Sequence, residues 1–159
     1  MVTDKDLIKL YSQRILALAA EIPFAKRLDS PDSTASVRSP LCGSIVTVDL
    51  SLSNGKVAKF GQDVKACALG QAAASVVGAN ILGKDRDAIE KARNQLYGML
   101  KNDGPEPAQP FQDLAVLKPA REYKNRHASI MLAFDATLAA FDRAAKVTKQ
   151  GTEVFASQD

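Results

Sequence analysis

The sequence predicts an α+β fold, in which a small antiparallel sheet of about three strands is covered on one face by helices and followed by a long C-terminal helix. Residues 46–53 alternate apolar and polar side chains and end at Asn54-Gly55, which indicates a β-hairpin. Stretches before and after it have the three- and four-residue apolar spacing of amphipathic helices. This order of helix, hairpin and further helices is typical of an antiparallel sheet whose helices share one side.

The first half of the chain carries one helix and the sheet. Apolar residues recur at helical spacing over Leu7–Ala20, which predicts the first helix. Residues 28–40 are polar and rich in turn-forming residues, so they predict an extended loop with a short edge strand near Thr34–Arg38. The alternating strand and a returning strand over Lys56–Val64 complete the sheet, because Asn-Gly favours a two-residue hairpin turn.

The stretch after Cys67 is predicted to be helical. It is rich in alanine, glycine and serine, which suits a helix that packs closely on a sheet, and Gly83 is a natural stop. Either Asp85 or Asp87 caps a further helix that runs to about Lys101.

The last predicted helix starts at Pro119, since proline is favoured in the first turn, and runs to about Ala145. We expect one folded domain over residues 1–145. Residues 146–159 have no core pattern and are expected to form a flexible C-terminal tail.

Composition excludes several classes of protein. The net charge of +3 comes from 21 basic and 18 acidic residues, which is too weak for a nucleic-acid footprint, and the chain has no tryptophan for base stacking. No apolar run approaches the ~18 residues that a membrane span needs. The charged N-terminus is unlike a secretory signal. We therefore expect a cytoplasmic protein that binds neither nucleic acid nor membrane.

The scarce residues limit the chemistry further. One histidine excludes motifs that need two, and two cysteines 25 positions apart exclude a disulfide framework and a Cys-x-x-Cys site. The sequence has no nucleophile elbow and no glycine-rich phosphate loop, so we expect that the protein is not an enzyme. Three candidate functional residues remain, Cys42, Cys67 and His127.

Cys42 precedes the first hairpin strand, and Cys67 follows the second and opens a helix. Pairing continued from the Asn54-Gly55 turn without a break places Cys42 opposite position 67, so we expect the two thiols to meet at the open end of the hairpin. Paired thiols, one favoured as a thiolate by a helix N-terminus, suit a soft metal, a cluster or sulfur transfer. Alternatively, both are small buried hydrophobic residues. His127 is either a ligand or a surface or capping residue.

Three short motifs occur in an order that resembles a known family. They are Cys42-Gly43-Ser44, Val64-Lys-Ala-Cys67 before the small-residue helix, and Arg126-His127-Ala-Ser-Ile-Met-Leu-Ala-Phe-Asp-Ala136. Together with the hairpin they resemble the iron–sulfur cluster assembly scaffolds of the NifU N-terminal, IscU and SufU type. The similarity covers roughly residues 7–142.

The resemblance implies a scaffold that builds clusters on three cysteines and an aspartate. It also implies sulfur delivered by a cysteine desulfurase and clusters passed to apo recipient proteins. The first two cysteines are present, but the aspartate position is Ser44. The third cysteine is missing, and its place falls on Ser129 or on Ala128, depending on the alignment. In the second alignment His127 matches the IscU-type histidine, and the family's chaperone-binding Leu-Pro-Pro-Val-Lys segment is also missing.

Three functions are compatible with these residues. In the first, iron or a transient [2Fe–2S] cluster is held by Cys42, Cys67 and His127, or by the two cysteines of each chain in a homodimer, since such clusters take four thiolates. In the second, the same three residues hold Zn²⁺ with water in the fourth position. In the third, the chain is a metal-free interaction or regulatory module of the assembly machinery. A sulfurtransferase that carries persulfide on Cys67 is the nearest catalytic alternative.

Overall fold

The predicted α+β class is confirmed. The computed structural model describes residues 11–40 and 43–157, with side chains only as far as Ala145. One antiparallel sheet has the strand order β1-β2-β3. The elements are α1 (Gln13–Ala20), β1 (Ser33–Arg38), β2 (Ile45–Ser53), β3 (Lys56–Lys65), α2 (Ala68–Asn80), α3 (Arg86–Lys101) and α4 (His127–Ser157). None of the helices, over the residues described, is both long and apolar enough to cross a membrane.

The predicted hairpin and edge strand are confirmed, but the register of the hairpin differs from the one expected. Asn54 and Gly55 both have positive φ, 54° and 77°, as a tight hairpin turn requires. An irregularity next to Ser51 shifts the pairing by one residue, so that Ile45 pairs with Lys65. The register continued without a break from the turn was therefore wrong by one residue at the open end.

The hydrophobic core lies between the helices and one face of the sheet. Alternate residues of β2, namely Val46, Val48 and Leu50, are fully buried. The long helix α4 packs against β1 and β2, while α2 packs against β3, α1 and α4. The largest buried side chains from the helical layer include Ile15, Leu69, Ile81, Ile89, Leu96, Ile130 and Phe134.

The opposite face of the sheet is partly covered by residues 24–28, which we call the strap. Asp49 lies on this face, yet its side chain is completely buried. Its carboxylate accepts hydrogen bonds from Arg27 Nε at 2.6 Å, from the Leu28 amide at 3.0 Å and from Thr34 Oγ1 at 2.5 Å. The polar face of an alternating strand is usually solvated, so the strap is an addition to the predicted architecture.

The start of α1 differs from the prediction, whereas the start of α3 agrees with it. α1 begins at Gln13, after Ser12, whose hydroxyl accepts the Ile15 amide at 3.3 Å as an N-cap. The rest of the predicted first helix, residues 7–10, lies outside the described residues. Asp85 caps α3, as one of the two alternatives predicted, by accepting the Ala88 amide at 2.9 Å.

The predicted start of the last helix at Pro119 was wrong. Gln112–Glu122 and Lys124–Arg126 form 3₁₀ turns, and α4 begins only at His127. The buried residues in this region recur every third position, which matches the three residues per turn of a 3₁₀ helix; they are Phe111, Leu114, Leu117 and Ala120. The backbone of α4 continues to Ser157, past the expected end near Ala145. The flexible tail over residues 146–159 and the domain boundary stay predictions.

Candidate functional site

The candidate site lies where β3 passes into α2. Cys67 is the N-cap residue of α2, with extended φ and ψ of −67° and 169°. Its carbonyl accepts the Gln71 amide at 2.9 Å and so starts the helix, but its side chain makes no capping hydrogen bond. The thiol is half-buried and points to α4, where its Sγ lies 3.4 Å from Ser129 Oγ.

Ser129 joins the thiol to the start of β2. Its side chain is in the core, with the residue only 1% exposed, and its hydroxyl donates to Ser44 Oγ at 3.2 Å. Ser44 is also buried and directly precedes β2. Three side chains from three separate elements therefore meet in one polar cluster, which we call the Cys67 cluster (Ser44, Cys67 and Ser129).

A glycine makes this meeting possible. A Cβ atom placed on Gly70 would lie 2.8 Å from Ser129 Oγ, closer than Cβ atoms approach in proteins, and 3.0 Å from the Ser129 carbonyl oxygen. The starts of α2 and α4 can therefore approach this closely only because position 70 has no side chain. This agrees with the interpretation of the small residues of α2 as packing residues.

The spacing of the Cys67 cluster fits a metal, but its chemistry fits only in part. Two ligand atoms bonded at about 2.0–2.3 Å to a tetrahedral ion lie roughly 3.3–3.8 Å apart, close to the two distances in the cluster. Only Cys67 offers a soft thiolate, because the hydroxyls of Ser44 and Ser129 are poor ligands as neutral groups. Among the residues that the structure describes, no three histidine, cysteine or acidic side chains are grouped to hold a metal.

The second predicted thiol, Cys42, lies outside the described residues, so its meeting with Cys67 stays a prediction. The next residue, Gly43, is exposed and has a φ of 73°, in the left-handed region that favours glycine. Its amide donates to the Ser39 carbonyl at 3.1 Å, and the Ser39 amide donates back to the Ser44 carbonyl at 2.8 Å. Ser39 and Gly43 are thus held by hydrogen bonds next to Ser44 of the Cys67 cluster.

His127 has a different environment from the one predicted for a ligand. Its residue is 2% exposed, and its Nε2 donates to the Ala120 carbonyl at 2.8 Å, which leaves Nδ1 buried without a hydrogen-bond partner. Because successive α-helical residues are rotated by about 100°, His127 and Ser129 face nearly opposite sides of α4. This geometry favours a structural role that joins α4 to the 3₁₀ segment, and the ligand role stays a prediction.

The buried ring makes stability depend on pH. Burial lowers the pKa of His127 below its ordinary value of 6.5, and the Ala120 carbonyl, which favours the charged ring, offsets this only in part. The folded protein therefore binds fewer protons than the unfolded chain, and stability falls as the pH drops below about 6.5. The variant His127→Gln keeps a donor for Ala120 but cannot be protonated.

We expect the stability of the wild type to fall more than that of His127→Gln between about pH 7.5 and pH 5.5. Urea unfolding of both proteins at the two pH values measures this difference. An equal fall in both proteins would contradict a neutral buried His127.

Neither a family model nor a curated protein sequence matches the chain. Solved structures do match it. The structure of a nitrogen-fixing NifU-like protein (N-terminal) from Brucella abortus is similar over 89% of this chain and 98% of its own, with 42% identity and a TM-score of 0.86. This chain belongs to the NifU-like N-terminal family.

A more distant structure shares the fold of this NifU-like chain. It is that of a protein assigned as an iron–sulfur cluster assembly scaffold for the SUF system from Fervidobacterium islandicum AW-1. The similarity covers 84% of this chain and 98% of that one, with 17% identity and a TM-score of 0.75. Neither relative is named as an enzyme, in agreement with the prediction that this protein is not one.

The contact between Ser129 and Cys67 favours one of the two alignments of the third-cysteine position that the resemblance implies. Of the two alignments, the one that places the missing cysteine on Ser129 agrees with the contact between Ser129 and Cys67. Residue-by-residue reasoning did not single out Ser129 or connect Gly70 to it, because nothing local in the sequence marks a serine in an apolar helix. The only signal for Ser129 was the motif alignment.

Proposed function

We propose that this NifU-like chain is an iron–sulfur cluster assembly scaffold or carrier that holds iron or a transient [2Fe–2S] cluster through Cys42 and Cys67. The 42% identity to a NifU-like protein supports this proposal most strongly. The half-buried thiol of Cys67 in a polar cluster, at the spacing of metal ligands, adds a local reason.

Two thiolates from one chain do not complete the usual ligand set. A [2Fe–2S] cluster is held by four thiolates, so Cys42 and Cys67 from each of two chains would complete it in a homodimer. A metal held within one chain would need His127 as a third ligand. This applies to iron and to Zn²⁺, but His127 faces nearly the opposite side of α4 from Ser129 and the Cys67 thiol. The dimer is therefore the arrangement that we favour.

A scaffold for iron–sulfur clusters also requires partner proteins that supply sulfur and receive the clusters. As a cytoplasmic scaffold, the protein would receive sulfur from a cysteine desulfurase and pass the cluster to apo recipient proteins. The family's chaperone-binding segment is missing from the sequence, so this transfer would proceed without that contact.

The test is anaerobic reconstitution with iron and sulfide, followed by analysis of metal and acid-labile sulfide. We expect about one iron and one sulfide per chain in the wild type, since two chains share one [2Fe–2S] cluster. Cys42→Ser and Cys67→Ser should each lose nearly all of both, because every cluster would lack two of its four thiolates. His127→Gln serves as the control and should retain the cluster.

Other results would change the assignment. Zinc at about one per chain, lost in all three variants, would favour the single-chain zinc site. Persulfide on Cys67 without iron, formed when a cysteine desulfurase and cysteine supply the sulfur in place of sulfide, would favour the sulfurtransferase alternative. The hydroxyls at positions 44 and 129, where the family carries stronger ligands, are the reason to keep the metal-free interaction module as a second candidate. A wild type that takes up no metal even after reconstitution would favour that module and contradict the scaffold.

A further inference from the structure

We propose that Ser129 is a positioning residue for the metal-binding thiolate, with its hydroxyl donating a hydrogen bond to Cys67 Sγ when that sulfur is a ligand. The proposal rests on the scaffold function proposed above. It is specific to this chain, because it assigns a role to a serine at a position where the family pattern has a ligand.

The hydroxyl of Ser129 and the thiol of Cys67 are in contact. Ser129 Oγ lies 3.4 Å from Cys67 Sγ, within the range of a hydrogen bond to sulfur. Ser129 is 1% exposed, so water does not compete with Cys67 Sγ for hydrogen bonds to its hydroxyl. The close approach of Gly70 to Ser129 holds α4 against the start of α2, which fixes the position of the hydroxyl relative to the thiol.

The direction of the hydrogen bonds in the Cys67 cluster depends on which groups carry a proton. A hydroxyl has one proton to donate, and in this structure Ser129 donates it to Ser44 Oγ at 3.2 Å. The thiol can then donate to Ser129. A metal-bound cysteine has no such proton, because the thiolate is the ligand, and its sulfur can only accept.

The loss of the Cys67 thiol proton changes these hydrogen bonds. When Cys67 becomes a ligand, Ser129 can rotate its O–H from Ser44 to the sulfur, since a hydroxyl both donates and accepts. Only this hydroxyl proton moves. The Cys67 cluster can therefore form a hydrogen bond with the free thiol and with the metal-bound thiolate.

Such a donor influences the metal directly. Groups that hydrogen-bond to metal ligands orient them, and their loss typically weakens metal binding about 10- to 100-fold. Hydrogen bonds to ligand sulfurs also lower the energy of the sulfur lone pairs. Removing the donor should therefore move the sulfur-to-metal charge-transfer absorption to lower energy.

The experiment uses Co²⁺ alone as the probe, bound to the full chain under reducing conditions and titrated against a coloured chelator. We expect Ser129→Ala to weaken Co²⁺ binding by about 10-fold or more and to shift the charge-transfer band to longer wavelength. The control is Thr137→Val, which removes a buried hydroxyl from the same helix, where it donates only to the Ala133 carbonyl at 2.7 Å. Its affinity and band should match those of the wild type.

A second variant keeps the test decisive if Ser129→Ala does not fold. Ser44→Ala removes the competing acceptor and leaves the Ser129 proton free for sulfur, so Co²⁺ binding should stay equal or become tighter. A loss of about 10-fold in Ser44→Ala would overturn the proposal, as would unchanged affinity and an unchanged band in folded Ser129→Ala. A wild type that binds no Co²⁺ would overturn this proposal, whereas the scaffold function is tested separately by the iron and sulfide reconstitution. Co²⁺ binding that is insensitive to Ser129 would leave the scaffold function intact.

Discussion

Replacing Asp49 with alanine is expected to lower the free energy of unfolding by about 3 kcal/mol. The variant leaves the Leu28 amide and the Thr34 hydroxyl without their acceptor and breaks both hydrogen bonds from Arg27, at 2.6 and 3.1 Å. A buried donor left without its acceptor costs about 1–3 kcal/mol, and two of them, the Leu28 amide and the Thr34 hydroxyl, lose theirs here. Arg27 is 53% exposed and keeps its charge in water, so the broken ion pair adds little.

Equilibrium unfolding in urea at about pH 7 measures this loss, and Asp63→Ala is the matched control. Asp63 also lies on the strap-facing side of the sheet, paired with Thr47, but it is exposed. Its removal should change stability by no more than about 0.5 kcal/mol. Similar small losses in both variants would mean that the Asp49 contacts contribute little.

The same carboxylate should make the fold sensitive to acid. Burial alone would raise the pKa of Asp49, but the hydrogen bonds from Arg27, Thr34 and the Leu28 amide outweigh it and hold the pKa below its ordinary value of 3.8. The unfolded chain therefore binds a proton first as the pH falls. The stabilisation by Asp49 is present above about pH 4 and is lost as the pH drops through the folded pKa. In Asp49→Asn, stability should depend less on pH below about 4, and parallel curves for the two proteins would contradict this.

The parts of the fold that could be predicted depend on adjacent residues, and the parts that could not depend on residues far apart in the sequence. The hairpin could be predicted because its turn and alternation are encoded in adjacent residues, and the cap at Asp85 for the same reason. The strap could not, since Arg27 and Asp49 are 22 positions apart and their pairing depends on the tertiary fold. The one-residue shift beside Ser51 also has no signature in the sequence, and it changed the register at the open end.

The candidate site also has a part that the local sequence predicts and a part that depends on the tertiary fold. Cys67 could be placed at a helix start from the change of pattern around it, and the structure confirms this position. Its partner Ser129 lies 62 positions away, and the contact depends on how closely α2 and α4 pack at Gly70. His127 looked like a ligand because histidine is scarce and binds metals, whereas its environment is set by the 3₁₀ segment that the sequence pattern did not reveal.

Gly61→Ala is expected to destabilise the protein by about 3 kcal/mol, at the upper end of the range for overpacking. A Cβ atom at this position would lie 2.3 Å from the Lys26 carbonyl oxygen and 3.2 Å from the Leu28 amide nitrogen, both in the strap backbone. A backbone atom cannot yield as a flexible side chain can, so the strap or β3 must move. Gly98→Ala is the control, because a Cβ there meets nothing within 4 Å and alanine favours a helix; it should raise stability by up to about 1 kcal/mol.

Asp49 and Gly61 are paired across β2 and β3, and both contact the strap at Leu28. If Gly61→Ala displaces the strap, the Arg27 and Leu28 hydrogen bonds to Asp49 are already weakened, so removing Asp49 should then cost less. The double variant should therefore lose less stability than the two single losses combined, by about 1 kcal/mol or more, as contacting residues usually do. Strict additivity would mean that Gly61→Ala is accommodated by β3 alone. In that case the strap would keep its contacts with Asp49, and the sheet itself would carry the strain.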